Sequence, residues 1–451
     1  MKVSICLLCG AGLVLSQSNA RSASLLWVSR PVQGALPEAP TGYDNQTNGV
    51  VDQNTHVAID EANFEEHFTI SLGLGPLYNA QSCAECHQQP VTGGTSDITE
   101  VRAGHFDAQG EFVPATASVI DDAGSQVLIP NRSIINSRSI CPGIDATQLG
   151  GDGNPFVHPS ANTREVLPKT ENVIGYRVTL NTLGDGFVEA VDDSVLIGLA
   201  QSQSAQTNGV IHGEAVMVPL LEAPGQSRVG RFGWKDQMAS LLSFAAQAYL
   251  DEMGITNRLT PNDVTQVCKV TPDPEDTPST TPDPVTGTNL ANLDRFARFM
   301  RATRAPAVDP KLLATADAQA GQGLFTSVGC AICHVTTMVT APAGTSINGG
   351  TFVVPPALGS THFHPYGDFL LHNVGTGDGI SQSGGKETQK KFRTAPLWGL
   401  RTRSRYMHDG RSLTVSAAIL RHAGESSAVI NKYRALSKPE KAQLLAFLES
   451  L

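Results

Sequence analysis

A five-residue pattern that occurs twice constrains this chain more than any other feature. Cys83-Ala84-Glu85-Cys86-His87 and Cys330-Ala331-Ile332-Cys333-His334 both read C-x-x-C-H. Two thiols one helical turn apart can each bond a vinyl group of one haem, and the histidine that follows then offers its imidazole to the iron. A single copy could equally be a redox dithiol or a coincidence. A zinc site needs four ligands in one cluster, and nothing near either motif completes one. Two copies, each after a helical stretch, predict two covalently bound haem c groups. Cys83, Cys86, Cys330 and Cys333 are the expected attachment points, with His87 and His334 as iron ligands.

The first residues predict an export signal. Lys2 precedes an apolar run over residues 3–15, and Ser18-Asn19-Ala20 places small residues at the −3 and −1 positions of a cleavage site. This predicts a signal peptide over residues 1–20 and a periplasmic location; a buried N-terminal helix is the alternative. Cys6 and Cys9 would leave with the signal, and Leu8 before Cys9 does not suit a lipoprotein cleavage box. Cys141 and Cys268 are then left over, as one disulfide or as two separate thiols. No later stretch stays apolar for ~20 residues, so no transmembrane segment is expected. The net charge of −10 and the lack of a Lys/Arg cluster argue against nucleic-acid partners.

The 451 residues, 40% hydrophobic and 16% charged, suit a folded chain of more than one domain. Residues 21–55 read as an N-terminal arm. Residues 56–268 read as a first haem domain, opened by a helix over 59–79 that runs up to Gly73 and Gly75. Its residues 90–225, rich in Gly, Asp, Asn and Thr, read as an insertion of loops and short strands, such as 175–180 and 215–220. Helical periodicity returns over 231–253. Residues 269–289 read as a solvated Pro/Thr/Asp-rich loop. Residues 290–451 read as a connecting helix and a second cytochrome c domain. There Gly321-Gln322-Gly323-Leu324-Phe325 precedes Cys330, and the capping box Ser437-Lys438-Pro439-Glu440 opens the last helix. The expected fold is mostly α: two cytochrome-c-like haem domains, with a loop-rich, short-stranded insertion in the first.

Each iron also needs an account of its sixth position. Met407 is the one methionine far downstream of His334, and a thioether ligand would raise that haem's potential. The alternative is Met407 as packing, with His408 or nothing on the iron. His362, His364, His372 and His422 take no definite role; they could line the second haem pocket or meet its propionates.

Several blocks resemble the di-haem oxidoreductase family, also called thiol-oxidoreductase-like peroxidases. They are Leu74-Gly75-Pro76-Leu77-Tyr78-Asn79, Gly230-Arg231-Phe232-Gly233-Trp234-Lys235-Asp236-Gln237, Glu252-Met253-Gly254-Ile255-Thr256, His364-Pro365-Tyr366-Gly367-Asp368, Arg393-Thr394-Ala395-Pro396-Leu397-Trp398 and Met407-His408-Asp409-Gly410-Arg411. More remotely, the layout is similar to bacterial di-haem cytochrome c peroxidases and to the methylamine dehydrogenase maturation enzyme. The resemblance implies reduction of hydrogen peroxide, with electrons from a small donor protein such as a monohaem cytochrome. It implies Trp234 between the haems, Glu252 as acid/base over the first haem, and a removable histidine ligand there: His105, or else His158 or His212. A calcium ion between the domains also belongs to that picture. A core tryptophan, a solvated helical glutamate and a solvated loop histidine are the plain structural readings of these residues. Two other functions stay open: electron transfer with both irons six-coordinate, and haem-driven oxidation of a protein or thiol partner.

Overall fold

A computed structural model describes residues 43–121, 123–141 and 165–451. The signal-peptide expectation, most of the arm and His158 lie outside them. The stretch expected to hold loops and short strands contains the main sheet: strands stand near the two expected places, at Val173–Val178 and Met217–Pro219, and longer ones precede them. Strands Gln126–Arg132, Phe112–Ile120, Thr99–Phe106 and Ile134–Ile135 pair in that order, and Val173–Val178 also pairs with Thr99–Phe106; every pairing is antiparallel. The polar residues read as loop are tight hairpin turns. Asp107 Oδ1 accepts from the backbone N–H of Gln109 and Glu111, and Asp121 Oδ1 accepts from those of Ala123 and Ser125. Such Asx turns let Asp and Gly close long strands rather than interrupt them.

The fold is therefore not mostly α, and no cytochrome-c-like fold is seen among the described residues. The helix expected over 59–79 is a π-helical turn, His56–Glu61, continued by Ala62–Glu65, and it ends well before Gly73. The 231–253 periodicity yields a helix only over Leu241–Met253, capped by Ser240 Oγ accepting from Ser243 N. Residues 231–240 form a turn closed by pairing of Phe232 with Met238. Beyond His334 the chain runs as two-residue strands, short 3-10 turns and loops until the helix Val415–Leu420.

Two helices do meet as expected near the second motif. Ala316–Val328 crosses Lys438–Leu448, whose capping box pairs Ser437 with Glu440. Gly321 permits the close crossing: a Cβ there would stand 1.9 Å from the Gln443 carbonyl oxygen. Residues 269–289 are irregular but partly buried. Asp276 accepts from the N–H groups of Asn292 and Leu293, starting the helix Asn292–Ala302. Buried Asp283 pairs with Arg298, which also holds buried Asp60. Cys141 and Cys268 form a disulfide with Cα atoms 5.2 Å apart.

Two apolar clusters flank the motifs. The larger joins Phe64, Tyr249, Phe296 and Met300 to Phe363 and Trp398, so it draws on both sides of the 269–289 loop. The smaller packs Phe325, Tyr366, Phe447 and Leu448 beside Cys330.

Candidate functional site

The two motifs are built alike. Ser82 Oγ caps a single helical turn, Cys83–Cys86, and the N–H of His87 donates to the Cys83 carbonyl at 3.0 Å. Gly329, at φ +108°, ends the long helix, a 3-10 turn follows over Cys330–Ile332, and the N–H of His334 donates to the Cys330 carbonyl, also at 3.0 Å. In both, the imidazole Nδ1 meets a backbone carbonyl: Gly94 at 3.2 Å for His87, and Tyr366 at 2.9 Å for His334. A proton on Nδ1 leaves the lone pair on Nε2, the tautomer a metal requires. Burial lowers the pKa of both rings to about 4, so both are neutral near pH 7.

Cys83, Cys86 and His87 open onto a cavity of about 390 Å³ whose wall includes Phe64, Phe244, Tyr249 and Phe296. Burial pushes the thiols of Cys83 and Cys86 up to about 12, so they are neutral and lie in apolar surroundings. A roomy apolar space beside paired thiols and a neutral, pre-set imidazole fits a haem at the first motif. The second motif has the same donor set among Phe325, Tyr366 and Phe447, and fits likewise. Glu85 within the first motif is structural: it accepts from Gln81 N and from Arg138 Nη2, each at 2.8 Å.

The helix Leu241–Met253 delivers Glu252 to this cavity. Its last turn is stitched to the chain just before the motif. Asn79 N and Ala80 N donate to the Glu252 carbonyl at 2.7 and 3.0 Å, and Gly75 N donates to that of Met253 at 3.0 Å. Gly254 allows the approach, since a Cβ there would lie 2.5 Å from the Leu77 carbonyl oxygen. The Glu252 carboxyl receives Asn79 Nδ2 at 2.8 Å. Burial, and then the charge of Glu100, push its pKa up to about 8. Glu100 stays ionised: burial opposes this, but Arg102 and a hydrogen bond with Glu252 hold its pKa low. The pair thus keeps one proton, carried by Glu252.

Trp234 also lines the cavity, and its Nε1 donates to the Val178 carbonyl at 2.8 Å. Its ring lies 6.2 Å from both Phe392 and His408, which stack on each other at 3.6 Å. Met407, at φ +67°, lines a small recess that it shares with Trp234 and Val178.

The structure thus brings Cys83, Cys86, His87, Glu252 and Trp234 together. His105 lies apart from them, toward the end of Thr99–Phe106, where its Nδ1 meets Glu171 at 2.7 Å with the side chain partly exposed. His212 is exposed, 4.0 Å from Glu425. Among the described residues that line the cavity, His87 is the only histidine. Near the second motif, His372 is buried between Asp368 at 2.9 Å and Glu425 at 3.0 Å. Burial opposes its charge, but those carboxylates hold it protonated. The ring of His422 lies edge-on to that of His334, with centroids 6.5 Å apart. As for calcium, the all-carboxylate group among the described residues, Asp263, Asp273 and Glu275, already surrounds the ammonium of Lys269.

Glu100 and Arg102 escaped sequence reasoning, as did the role of Asn79, which entered only as the last residue of a resemblance block. Asn79 and Glu252 are 173 positions apart, and Glu100 lies within a strand, so no local spacing marks them.

Comparison with family models matches residues 155–451 to the family described as "Di-haem oxidoreductase, putative peroxidase". The match contains Trp234, Glu252 and the second motif; the first motif precedes it. Comparison with curated proteins returns no match. Among solved structures, the chain is similar to hydrazine synthase of Kuenenia stuttgartiensis at 21% identity and a TM-score of 0.24, covering 36% of this chain and 55% of that one. It is also similar to a MauG-like protein associated with microbial copper homeostasis, at 23% identity and a TM-score of 0.23, covering 36% and 52%. The chain thus spans about half the length of each. No helix among the described residues is long and apolar enough to cross a membrane.

Proposed function

Because the chain belongs to the di-haem oxidoreductase family, we propose that it reduces hydrogen peroxide at the first motif, with electrons received through the second from a small redox protein. One observation carries this reading: a carboxyl that is neutral up to about pH 8 stands on the wall of the cavity onto which Cys83, Cys86 and His87 open. When bound, haem supplies the electron transfer and O–O cleavage chemistry. The four motif thiols hold the haems covalently, and His87 and His334 each offer Nε2. Glu252 gives its proton to the departing oxygen, so that water leaves rather than hydroxide. Asn79 orients that carboxyl, and burial together with the charge of Glu100, which Arg102 holds ionised, keeps it protonated. Trp234 links the cavity to the Phe392–His408 stack. The Cys141–Cys268 disulfide and the N-terminal pattern support export to the periplasm.

The test is peroxide consumption by the purified protein carrying both haems, with a reduced monohaem cytochrome as donor. Turnover is expected. Absence of turnover, with both irons six-coordinate in every redox state, would leave an electron-transfer cytochrome.

A further inference from the structure

We propose that His422, rather than Met407, occupies the sixth position of the second iron, opposite His334. The assignment rests on the reading that the second motif holds a haem.

Three observations support it. The two rings lie edge-on to one another, with centroids 6.5 Å apart and planes inclined at 61°, and imidazoles bound to one metal can take any twist about their common axis. A metal–nitrogen bond is about 2.0 Å, and ring nitrogen to ring centre adds about 1.2 Å, so two imidazoles on one metal have centroids about 6.4 Å apart. Two imidazoles packed as neighbouring rings can reach a similar separation, so distance alone does not decide.

The second observation is the tautomer. His422 Nδ1 lies 2.9 Å from the Ala418 carbonyl, as His334 Nδ1 lies 2.9 Å from that of Tyr366. Each ring therefore keeps its lone pair on Nε2, as a pair of axial ligands must.

The third is rigidity. His422 follows the helix Val415–Leu420, and its own N–H donates to the Ile419 carbonyl at 3.1 Å. On one side, Arg421 makes a two-pronged ion pair with Asp409, at 2.9 and 2.6 Å. On the other, Ala423 N donates to the Val374 carbonyl at 2.9 Å. The same helix contributes Val415 and Ile419 to the apolar cluster around Cys330 and Ala331. Tyr406 joins that cluster, whereas Met407 lines the recess beside Trp234. Imidazole ligation favours ferric iron more than a thioether does, so the second haem should have a lower potential than Met407 ligation would give.

The experiment begins with a haem count on the purified wild-type protein, followed by electron paramagnetic resonance and near-infrared magnetic circular dichroism of the ferric form. Two haems per chain are expected, with a bis-imidazole low-spin signal and no methionine-to-iron band. His422→Ala should open the second iron, raising tight cyanide binding from one equivalent per chain to two, and added imidazole should restore the low-spin signal. Should that variant fail to fold, His422→Met keeps an axial ligand and should create the missing methionine band. Met407→Leu should leave the second haem's spectrum unaltered. Two haems with a methionine band in the wild type that Met407→Leu abolishes would overturn the assignment alone. A protein with haem on the first motif only would overturn the two-haem reading, and the assignment with it.

Discussion

The two motifs hold their histidines in the same way and differ in what stands opposite. At His87 the space is a cavity of about 390 Å³, with the neutral carboxyl of Glu252 on its wall and no second histidine among the described lining residues. At His334 another imidazole, His422, stands with its ring centroid 6.5 Å away. An identical anchor can thus serve opposite ends. An open position with a proton donor suits chemistry on a substrate, and a filled one suits passing electrons. The difference lies not in the five motif residues but in elements brought in from elsewhere in the chain. These are the end of Leu241–Met253 and the strand Thr99–Phe106 at one site, and the end of Val415–Leu420 at the other.

The largest effect is expected from removing the proton donor. Glu252→Gln keeps the shape and loses the proton, so hydrogen peroxide turnover should fall about 10²–10⁴-fold. The second haem's spectrum should not change. Stopped-flow mixing of the half-reduced variant with peroxide measures this, and undiminished turnover would end the contrast between the sites.

A smaller effect follows from the carboxyl pair. The competent form of Glu252 is the protonated one and its pKa is raised to about 8, so activity should be present below that value and fall as pH rises through it. Part of the elevation comes from the charge of Glu100. Glu100→Gln should therefore move the falling limb to lower pH by about one unit. A pH–rate profile of wild type and variant checks both. An unmoved limb would separate Glu100 from the proton.

The two motifs were legible because each is confined to five consecutive residues, and the family was legible through the blocks around Trp234, Glu252 and Met407. Glu252 and Trp234 were legible only through resemblance, and the structure sets both on the cavity wall. Only the strand near 175–180 of the sheet was legible; the longer strands were missed because Asp107, Gly110, Asp121 and Gly124, which close their hairpins, look locally like loop. His105 was singled out for being the next histidine along the chain. Position in a strand decides instead: Glu100 and Arg102 reach the cavity, while His105, further along, meets Glu171. The partners of Glu252 could not be read because they meet only when the sheet packs on the helix end.

The smallest effect on turnover should come from the disulfide. Cys141 packs with Leu77, Val119 and Ile129, so the bridge to Cys268 ties the sheet to the segment that follows the Glu252 helix. Replacing both cysteines by serine should cost up to about 4–5 kcal/mol of unfolding free energy. Any spectral change should appear at the first haem and not the second. Denaturant unfolding followed at each haem's band measures this, and equal loosening at the two sites would weaken the distinction between them.

The most direct test of an open first iron and a closed second one is a cyanide titration of the ferric wild-type protein, followed by electron paramagnetic resonance. One high-spin and one low-spin signal are predicted at the start, with one equivalent of cyanide per chain abolishing only the high-spin signal. Two equivalents bound with equal ease, or none, would contradict the account.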